Sequence, residues 1–333
     1  MRWGVISTGY IARIFVEGLR ASESERVIAL ASRDERRAAA AAGELGVERG
    51  YGSYEALLAD PEVEAVYIGL PNSMHAEWAI RAARAGKHVL CEKPLGVSQA
   101  EAVAMFAAAR DAGVWLIEAF MYRFHPRTLK IRQLLDQGAV GQIRLIRASF
   151  GFALSDPANV RLSAELVGGA LMDVGCYCVN FARLAAGRGP TRAFATARWA
   201  GSGVDETLAG TLEYGDGAIA QIGCSLATSL HQQAQIIGSD GAIELDGAFN
   251  IPPTQAGRLR VRRGPDADAI EEIEFAPVNQ YRLEAEGLGR LVAAGHGARD
   301  LPTMPLVETL DNMATIEALL RSARAGHAVE VER

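Results

Sequence analysis

Apolar residues are distributed along this chain in two textures. Through the first 120 residues short apolar runs, "RWGVIS", "RVIALAS", "AVYIGL", "HVLCEK" and "VWLIEAF", alternate with amphipathic or alanine-rich stretches. Strands that are apolar on both faces and separated by helical patterns predict a parallel, doubly wound α/β domain, here over residues 1–123. Within it "SQAE", Ser98 to Glu101, is a capping box that opens a helix ending near Gly113.

After about residue 125 the pattern changes. A helix over Thr128 to Gln137 and the apolar helix "GGALMDVGCYCVNFARLAAG", Gly168 to Gly187, precede the alternating segments "TRAFATARWA", "ETLAGTLEY", "GAIAQIGCSLA", "HQQAQIIGS" and "GAIELDG". Tight-turn signals at "GDG" and "SDG" join sequential strands, which predicts an α+β domain on a mostly antiparallel sheet over 124–333. Leu306, Leu310, Met313 and Leu320 suit a packed helix from Pro305 to Gly326, followed by a last strand, "HAVEVE".

A length of 333 residues suits two domains, and no stretch reaches the roughly 18 uninterrupted apolar residues of a membrane span. The net charge of −6 leaves no basic surplus for a nucleic-acid backbone. The first residues run straight into a predicted strand with no leader pattern, so a cytoplasmic location is expected. Cys91, Cys176, Cys178 and Cys224 form no CxxC pair and the six histidines are scattered singly, so no metal is expected.

Candidate chemistry begins at the first strand's end, in "STGYIA". A dinucleotide fingerprint wants glycine at its first and third positions and glycine or alanine at its sixth, so that backbone and helix N-terminus approach a pyrophosphate. Ser7, Gly9 and Ala12 occupy those positions, with Thr8, Tyr10 and Ile11 between them. The second strand ends in "ASRDERR", where Ser32, Arg33 and Arg37 suit the 2'-phosphate of NADP, while Asp34 is an acid of the kind NAD's ribose would use. NADP is favoured and NAD stays open. In "LPNSMH" Leu70, Pro71, Asn72 and His75 follow another strand and would line the cofactor crevice; alternatively Ser73 caps the helix there. In "CEKPLG" a strand's carboxyl end displays Lys93, with Pro94 stiffening the turn.

"PNSMHAEWAIRAARAGKHVLCEKPLG", "EAFMYRFHP" and "GGALMDVGCYCVN" resemble the glucose-fructose oxidoreductase and inositol dehydrogenase (Gfo/Idh/MocA) family, in particular its dihydrodiol dehydrogenase and D-xylose dehydrogenase branch. The resemblance implies an N-terminal Rossmann domain, an open antiparallel sheet in the second domain that often mediates oligomerisation, and a cis Lys93–Pro94 peptide. It also implies Lys93 near the nicotinamide and the substrate hydroxyl, Glu92 near the nicotinamide ribose and Arg123 beside the cofactor. Ser7 departs from the fingerprint, and Tyr177 stands where inositol dehydrogenase-like members carry histidine.

Asp173, Tyr177 and Asn180 then form a polar stripe on an otherwise apolar helix. Such a stripe either satisfies itself or serves a ligand. Read with the lysine motif, Tyr177 is the candidate general acid/base, Lys93 the group that lowers its pKa, and Asp173 the group that orients substrate. Arg161 and Asn180 are further candidates for substrate hydrogen bonds. The expected protein is an NADP-dependent oxidoreductase of a sugar, polyol or dihydrodiol, aldose C1 oxidation favoured, assembled as a homo-oligomer, dimer or tetramer, without nucleic-acid or membrane partners. The alternatives are a reductase of an anhydro-ketose or nucleotide-linked keto-sugar, a non-catalytic NADP-binding sensor, and a purely structural assembly protein.

Overall fold

The structure is a computed structural model that describes residues 1–264, 269–295 and 302–333. The chain divides into two compact units, Met1–Phe124 with Asn279–Leu306, and His125–Val278 with Val307–Arg333. The sequence reading drew a single boundary after residue 123 and left Asn279–Leu306 with the second part. The returning segment carries helix α8, Gln280–Ala294, whose Ala285, Leu288 and Leu291 lie in the hydrophobic core of the first unit.

The first unit runs β1 (Arg2–Ile6), α1 (Tyr10–Leu19), β2 (Arg26–Ala31), α2 (Glu35–Leu45), β3 (Arg49–Tyr51), α3 (Tyr54–Leu58), β4 (Ala65–Ile68), α4 (His75–Arg84), β5 (His88–Glu92), α5 (Gln99–Asp111) and β6 (Leu116–Ala119). The sheet order is β3-β2-β1-β4-β5-β6, with every described pairing parallel. The five apolar runs form five of these strands; three-residue β3 is too short to leave a pattern. Residues 65–68 of β4 are all buried, as expected of a strand covered on both faces. In the core Phe15 stacks on Tyr67 with centroids 3.9 Å apart, and Trp3 meets Phe15 edge-on at 5.4 Å. At the start of α5 the Ser98 hydroxyl accepts from the Glu101 amide, and the Glu101 carboxylate accepts from Val97, so the cap reaches one residue further back than a simple box.

The second unit holds α6 (Pro126–Asp136), β7 (Ile143–Ala153), α7 (Cys176–Ala186), β8 (Arg192–Trp199), β9 (Asp205–Glu213), β10 (Ile219–Ser225), β11 (Ala227–Gly238), β12 (Gly241–Asp246), β13 (Gly257–Arg263), β14 (Ala269–Phe275), α9 (Leu306–Ala325, its first residue in the first unit) and β15 (Val329–Glu330). The sheet order among the described residues is β14-β13-β12-β11-β7-β10-β9-β8-β15, antiparallel except for β7 with β10. Strand β7 was not anticipated, although Ile146, Ala148 and Phe150 alternate inward; two consecutive apolar residues, Leu145 and Ile146, blur the period. Helix α7 packs on β7 and β10, while Arg147, Gln221, Gln235, Glu244 and Arg260 line a polar groove of about 490 Å³ on the sheet.

The apolar stretch expected as one helix is two pieces. Leu171–Gly175 is a π-helical turn in which the Cys176 amide donates to the Leu171 carbonyl, five residues back, and the α-helix starts only at Cys176. Gly175 lies so close to β10 that a Cβ there would sit 2.8 Å from the Cys224 sulfur.

One buried cation ties the second unit together. Arg127, 1% exposed on α6, donates to the carbonyls of Asp246 at 3.2 Å, Gly247 at 2.8 Å, Ala248 at 2.6 Å and Arg258 at 3.4 Å. Burial pulls its guanidinium down to about 10. Replacing it with methionine removes this donor from all four carbonyls, so Arg127→Met should cost about 3 kcal/mol in urea unfolding. A loss under about 0.5 kcal/mol, the scale of an unremarkable surface change, would contradict the assignment.

Candidate active site

The first unit supplies a dinucleotide edge. Strand β1 leads into Ser7, whose φ of 157° is a conformation for which the fingerprint ordinarily uses glycine. Its hydroxyl accepts from the Gly9 amide at 3.0 Å, so the side chain braces the turn that a glycine would leave open. Helix α1 follows with no side-chain cap and no acidic residue in its first turn, and Gly9 and Tyr10 are exposed; its N-terminus is suited to an anion.

At the end of β2 the Ser32 side chain is buried and its hydroxyl accepts from the Asp34 amide. Asp34 is the N-cap of α2, its carboxylate accepting from the Arg37 amide at 2.8 Å. The acid that would suit a ribose 2'-hydroxyl is thus spent on the helix, while the side chains of Arg33 and Arg37 are exposed beside Tyr54.

The loops after β4 and β5 are joined by His75. Its ring nitrogens lie 2.9 Å from the Pro94 carbonyl and 2.9 Å from the Leu70 carbonyl, and it is 1% exposed. Burial, with a smaller contribution from the Lys93 ammonium, pulls its pKa down against the two carbonyls that favour the cation. Pro71 and Asn72 are half-buried, Asn72 opening a short 3-10 turn; Met74 occupies the cap position of α4, and no side-chain cap forms there, Ser73 included. The Lys93–Pro94 peptide is cis, as the resemblance implied. Glu92 accepts from the Tyr67 hydroxyl at 2.5 Å and from the Lys93 amide at 3.3 Å, and buried Glu118 accepts from the Leu95 amide at 3.0 Å. Arg123, 3% exposed, donates to the carbonyls of Pro302 and Thr303.

The second unit supplies the polar stripe. The Arg161 guanidinium donates to Asp173 at 2.6 Å and lies 5.8 Å from the Phe152 ring centre. The extra residue of the π turn sets Asp173 out of step with the α-helical face that Tyr177 and Asn180 share. Tyr177 is 5% exposed between Phe150, at 5.6 Å, and Phe249, at 5.5 Å, and Asn180 is fully buried. Among the described residues no group of three or more His, Cys, Asp or Glu is placed to hold a metal, and no helix is long and apolar enough to cross a membrane.

Comparison with known proteins finds matches to both parts of the chain. Residues 1–120 match the model of the oxidoreductase family with an NAD-binding Rossmann fold, and residues 128–244 match the Gfo/Idh/MocA C-terminal domain. The chain belongs to the Gfo/Idh/MocA oxidoreductase family. It is 43% identical to D-xylose 1-dehydrogenase (NADP(+)) 2 of Haloferax volcanii over the full length of both chains. It is 38% identical to trans-1,2-dihydrobenzene-1,2-diol dehydrogenase of Mus musculus, over 93% of this chain and 92% of that one. Among solved structures it is similar to a 3-ketoreductase from Actinomadura kijaniata in complex with NADP and TDP-benzene, with a TM-score of 0.87, 31% identity and 97% of each chain covered.

Within this Gfo/Idh/MocA chain the sequence reading missed Asp205. At the start of β9, 2% exposed, it accepts from the Leu171 amide at 2.6 Å and so caps the turn that carries Asp173. The only local signal is an acid opening a strand in "GVDETL". Burial pushes its carboxyl up from 3.8 to about 6, against the backbone bonds that lower it. The folded chain therefore binds the proton more tightly than the unfolded one, and stability falls as pH rises from 3.8 to about 6. Asp205→Asn should flatten that window by up to about 3 kcal/mol while keeping an acceptor for Leu171. Urea unfolding of both proteins across the window checks this, and parallel stability curves would refute it.

Proposed function

We propose that this protein is an NADP-dependent dehydrogenase that oxidises the C1 hydroxyl of an aldose, or the hydroxyl of a related polyol or dihydrodiol. The observation that carries the reading is the end-to-end 43% identity to D-xylose 1-dehydrogenase (NADP(+)) 2. The first unit is the nucleotide domain and the second the substrate domain, with the nine-stranded sheet the surface through which copies associate. The exposed N-terminus of α1 and the Arg33 and Arg37 side chains fit the phosphates of NADP, while one oxygen of Asp34 is committed to the α2 cap.

Bound NADP supplies the hydride acceptor. Thr8, Tyr10 and Ile11 shape the phosphate turn with Ser7 and Gly9, and Glu92 and Arg123 flank the nicotinamide end. Tyr177 takes the proton of the substrate hydroxyl. A phenol with an ordinary pKa of about 10 is a poor base at neutral pH, so its ionisation needs a cation, the role of the Lys93 ammonium. Asp173, held by Arg161, orients a substrate hydroxyl, and Asn180 assists it.

A second reading, reduction of a nucleotide-linked keto-sugar in the opposite direction, is favoured by the similarity to the 3-ketoreductase. Both are tested by nicotinamide absorbance with NADP and a panel of aldoses, polyols and dihydrodiols, and with NADPH and keto-sugars. Tyr177→Phe should lower kcat at least about 100-fold and leave NADPH affinity within about twofold. Unchanged turnover removes Tyr177 from the mechanism, and tight NADPH binding with no turnover in either direction points to the sensor. Arg33→Ala with Arg37→Ala should weaken NADP about tenfold or more while leaving NAD unaffected; equal losses with both nucleotides would reject the 2'-phosphate assignment.

A further inference from the structure

The turn that carries Asp173 is capped from a distance. Its first residues, "GGAL", Gly168 to Leu171, include no Ser, Thr, Asp or Asn, the residues that ordinarily cap a helix start, and Ala170 at the cap position offers no side-chain acceptor. The cap is Asp205 at the start of β9, 34 residues on, whose carboxylate accepts from the Leu171 amide at 2.6 Å. A serine or aspartate at the cap position would satisfy the same amide, so the reason for a distant acid lies in what else it touches.

It touches the glycine from which that turn hangs. Gly169 has a φ of 114°, and a Cβ there would overlap Oδ1 of Asp205, the carboxylate oxygen that Leu171 does not use. The Gly169 amide donates to the Arg161 carbonyl at 2.7 Å, and the Gly169 carbonyl accepts from the Asp173 amide at 3.0 Å. Gly168 is pressed against the same Arg161 carbonyl, which a Cβ would overlap, and Val167 before it is held at a φ of 54°, a strained conformation for a β-branched residue. The Arg161 guanidinium then meets the Asp173 carboxylate at 2.6 Å. Arg161 and Asp173 are therefore joined twice, through their side chains and through Gly169, and the Asp205 carboxylate bears on Gly169 from β9.

We propose that Asp205 is a positioning residue of the substrate site: by capping Leu171 and backing Gly169 it fixes the turn in which Arg161 and Asp173 meet, and so sets where the Asp173 carboxylate stands ahead of Tyr177. The proposal rests on the reading of Asp173 and Arg161 as substrate-binding residues. Misplacing such a group by about 1 Å costs on the order of 100-fold in rate, which gives an anchor on a sheet strand a function that a local cap would not serve.

The test uses the full chain with three substitutions. Asp205→Leu removes the acceptor, Asp205→Ser stops one bond short of the Leu171 amide, and Asp205→Asn keeps an acceptor in place; should one of the first two fail to fold, the other carries the comparison. Hydrogen exchange without substrate or nucleotide should run at least about tenfold faster in peptides spanning residues 161–173 of the Leu and Ser variants, with peptides of β11 unchanged, and at the wild-type rate in Asp205→Asn. Unchanged exchange in the Leu and Ser variants overturns the proposal. Kinetics then use NADP and the member of the aldose, polyol and dihydrodiol panel that the wild type turns over fastest, at a temperature where each variant is folded. The Leu and Ser variants should lose at least about tenfold in kcat/KM and the Asn variant less than about threefold, while NADPH affinity by fluorescence stays within about twofold in all three. A merely structural Asp205 predicts a lower unfolding temperature with wild-type kcat/KM in the folded variants, and that outcome overturns the assignment, as does an Asn variant that falls as far as Leu. A wild type that turns over no member of the panel overturns the functional reading on which the proposal stands, and the exchange rates still report whether Asp205 holds the turn.

Discussion

Parallel pairing imposes one condition on the first unit from which the rest follows: the strands point the same way, so their carboxyl ends share an edge. The order reverses between β1 and β4, so the loops after these two strands leave the sheet on opposite sides and open a crevice. Ser7, Ser32, Leu70 and Lys93 each stand within two residues of such an end. The loops at this edge are braced by polar side chains committed to backbone groups. Ser7 holds Gly9, Asp34 holds Arg37, His75 links the Leu70 and Pro94 carbonyls, and Glu118 holds Leu95. These ties stiffen four connections that a sheet alone leaves loose, and preorganisation of that kind is what a binding edge requires.

The second unit solves a different problem, the placement of an acid and a phenol on an apolar helix. Its answer divides the helix. Asp205 anchors the π turn from a neighbouring strand, Arg161 engages Asp173, and Phe150 and Phe249 confine the Tyr177 ring. A ring held by two aromatic neighbours and a carboxylate held by a guanidinium each have few alternative rotamers. Both side chains are thus ordered by the fold itself.

The fold class was legible because burial on both faces writes itself into a strand as an unbroken apolar run, and half-burial as alternation. Long-range partnerships leave no such trace. Nothing local says that Asp205 caps a turn 34 residues earlier, or that the segment after Asn279 joins the first core. The π turn was illegible for the same reason, because one extra residue in a helix preserves composition and shifts only register. The function of Asp34 was readable in principle, since an aspartate three residues ahead of Arg37 at a helix start is a cap signal. Its competing reading as a ribose ligand hid it. The assignments of Lys93, Tyr177 and Asn180 draw on the family resemblance and on chemistry, not on spacing alone.

Asp205 and Glu284 illustrate how a fold handles a buried acid. Both break the local rule that an interior position is apolar, and both are raised first by desolvation. Asp205 is compensated by a backbone donor, so its ionisation is held to the region of pH 6 and its charge helps fix a helix end. Among the described residues Glu284 has no hydrogen-bond partner, and burial, then the Glu92 charge, push its carboxyl well above the usual range. A hydrophobic residue at either position would remove the desolvation cost. Asp205 caps the turn of Asp173, and Glu284 lies within electrostatic reach of Glu92, the residue that precedes Lys93. Local sequence rules are most informative where they fail, because the compensation a structure arranges around such a residue shows what the residue is there to hold.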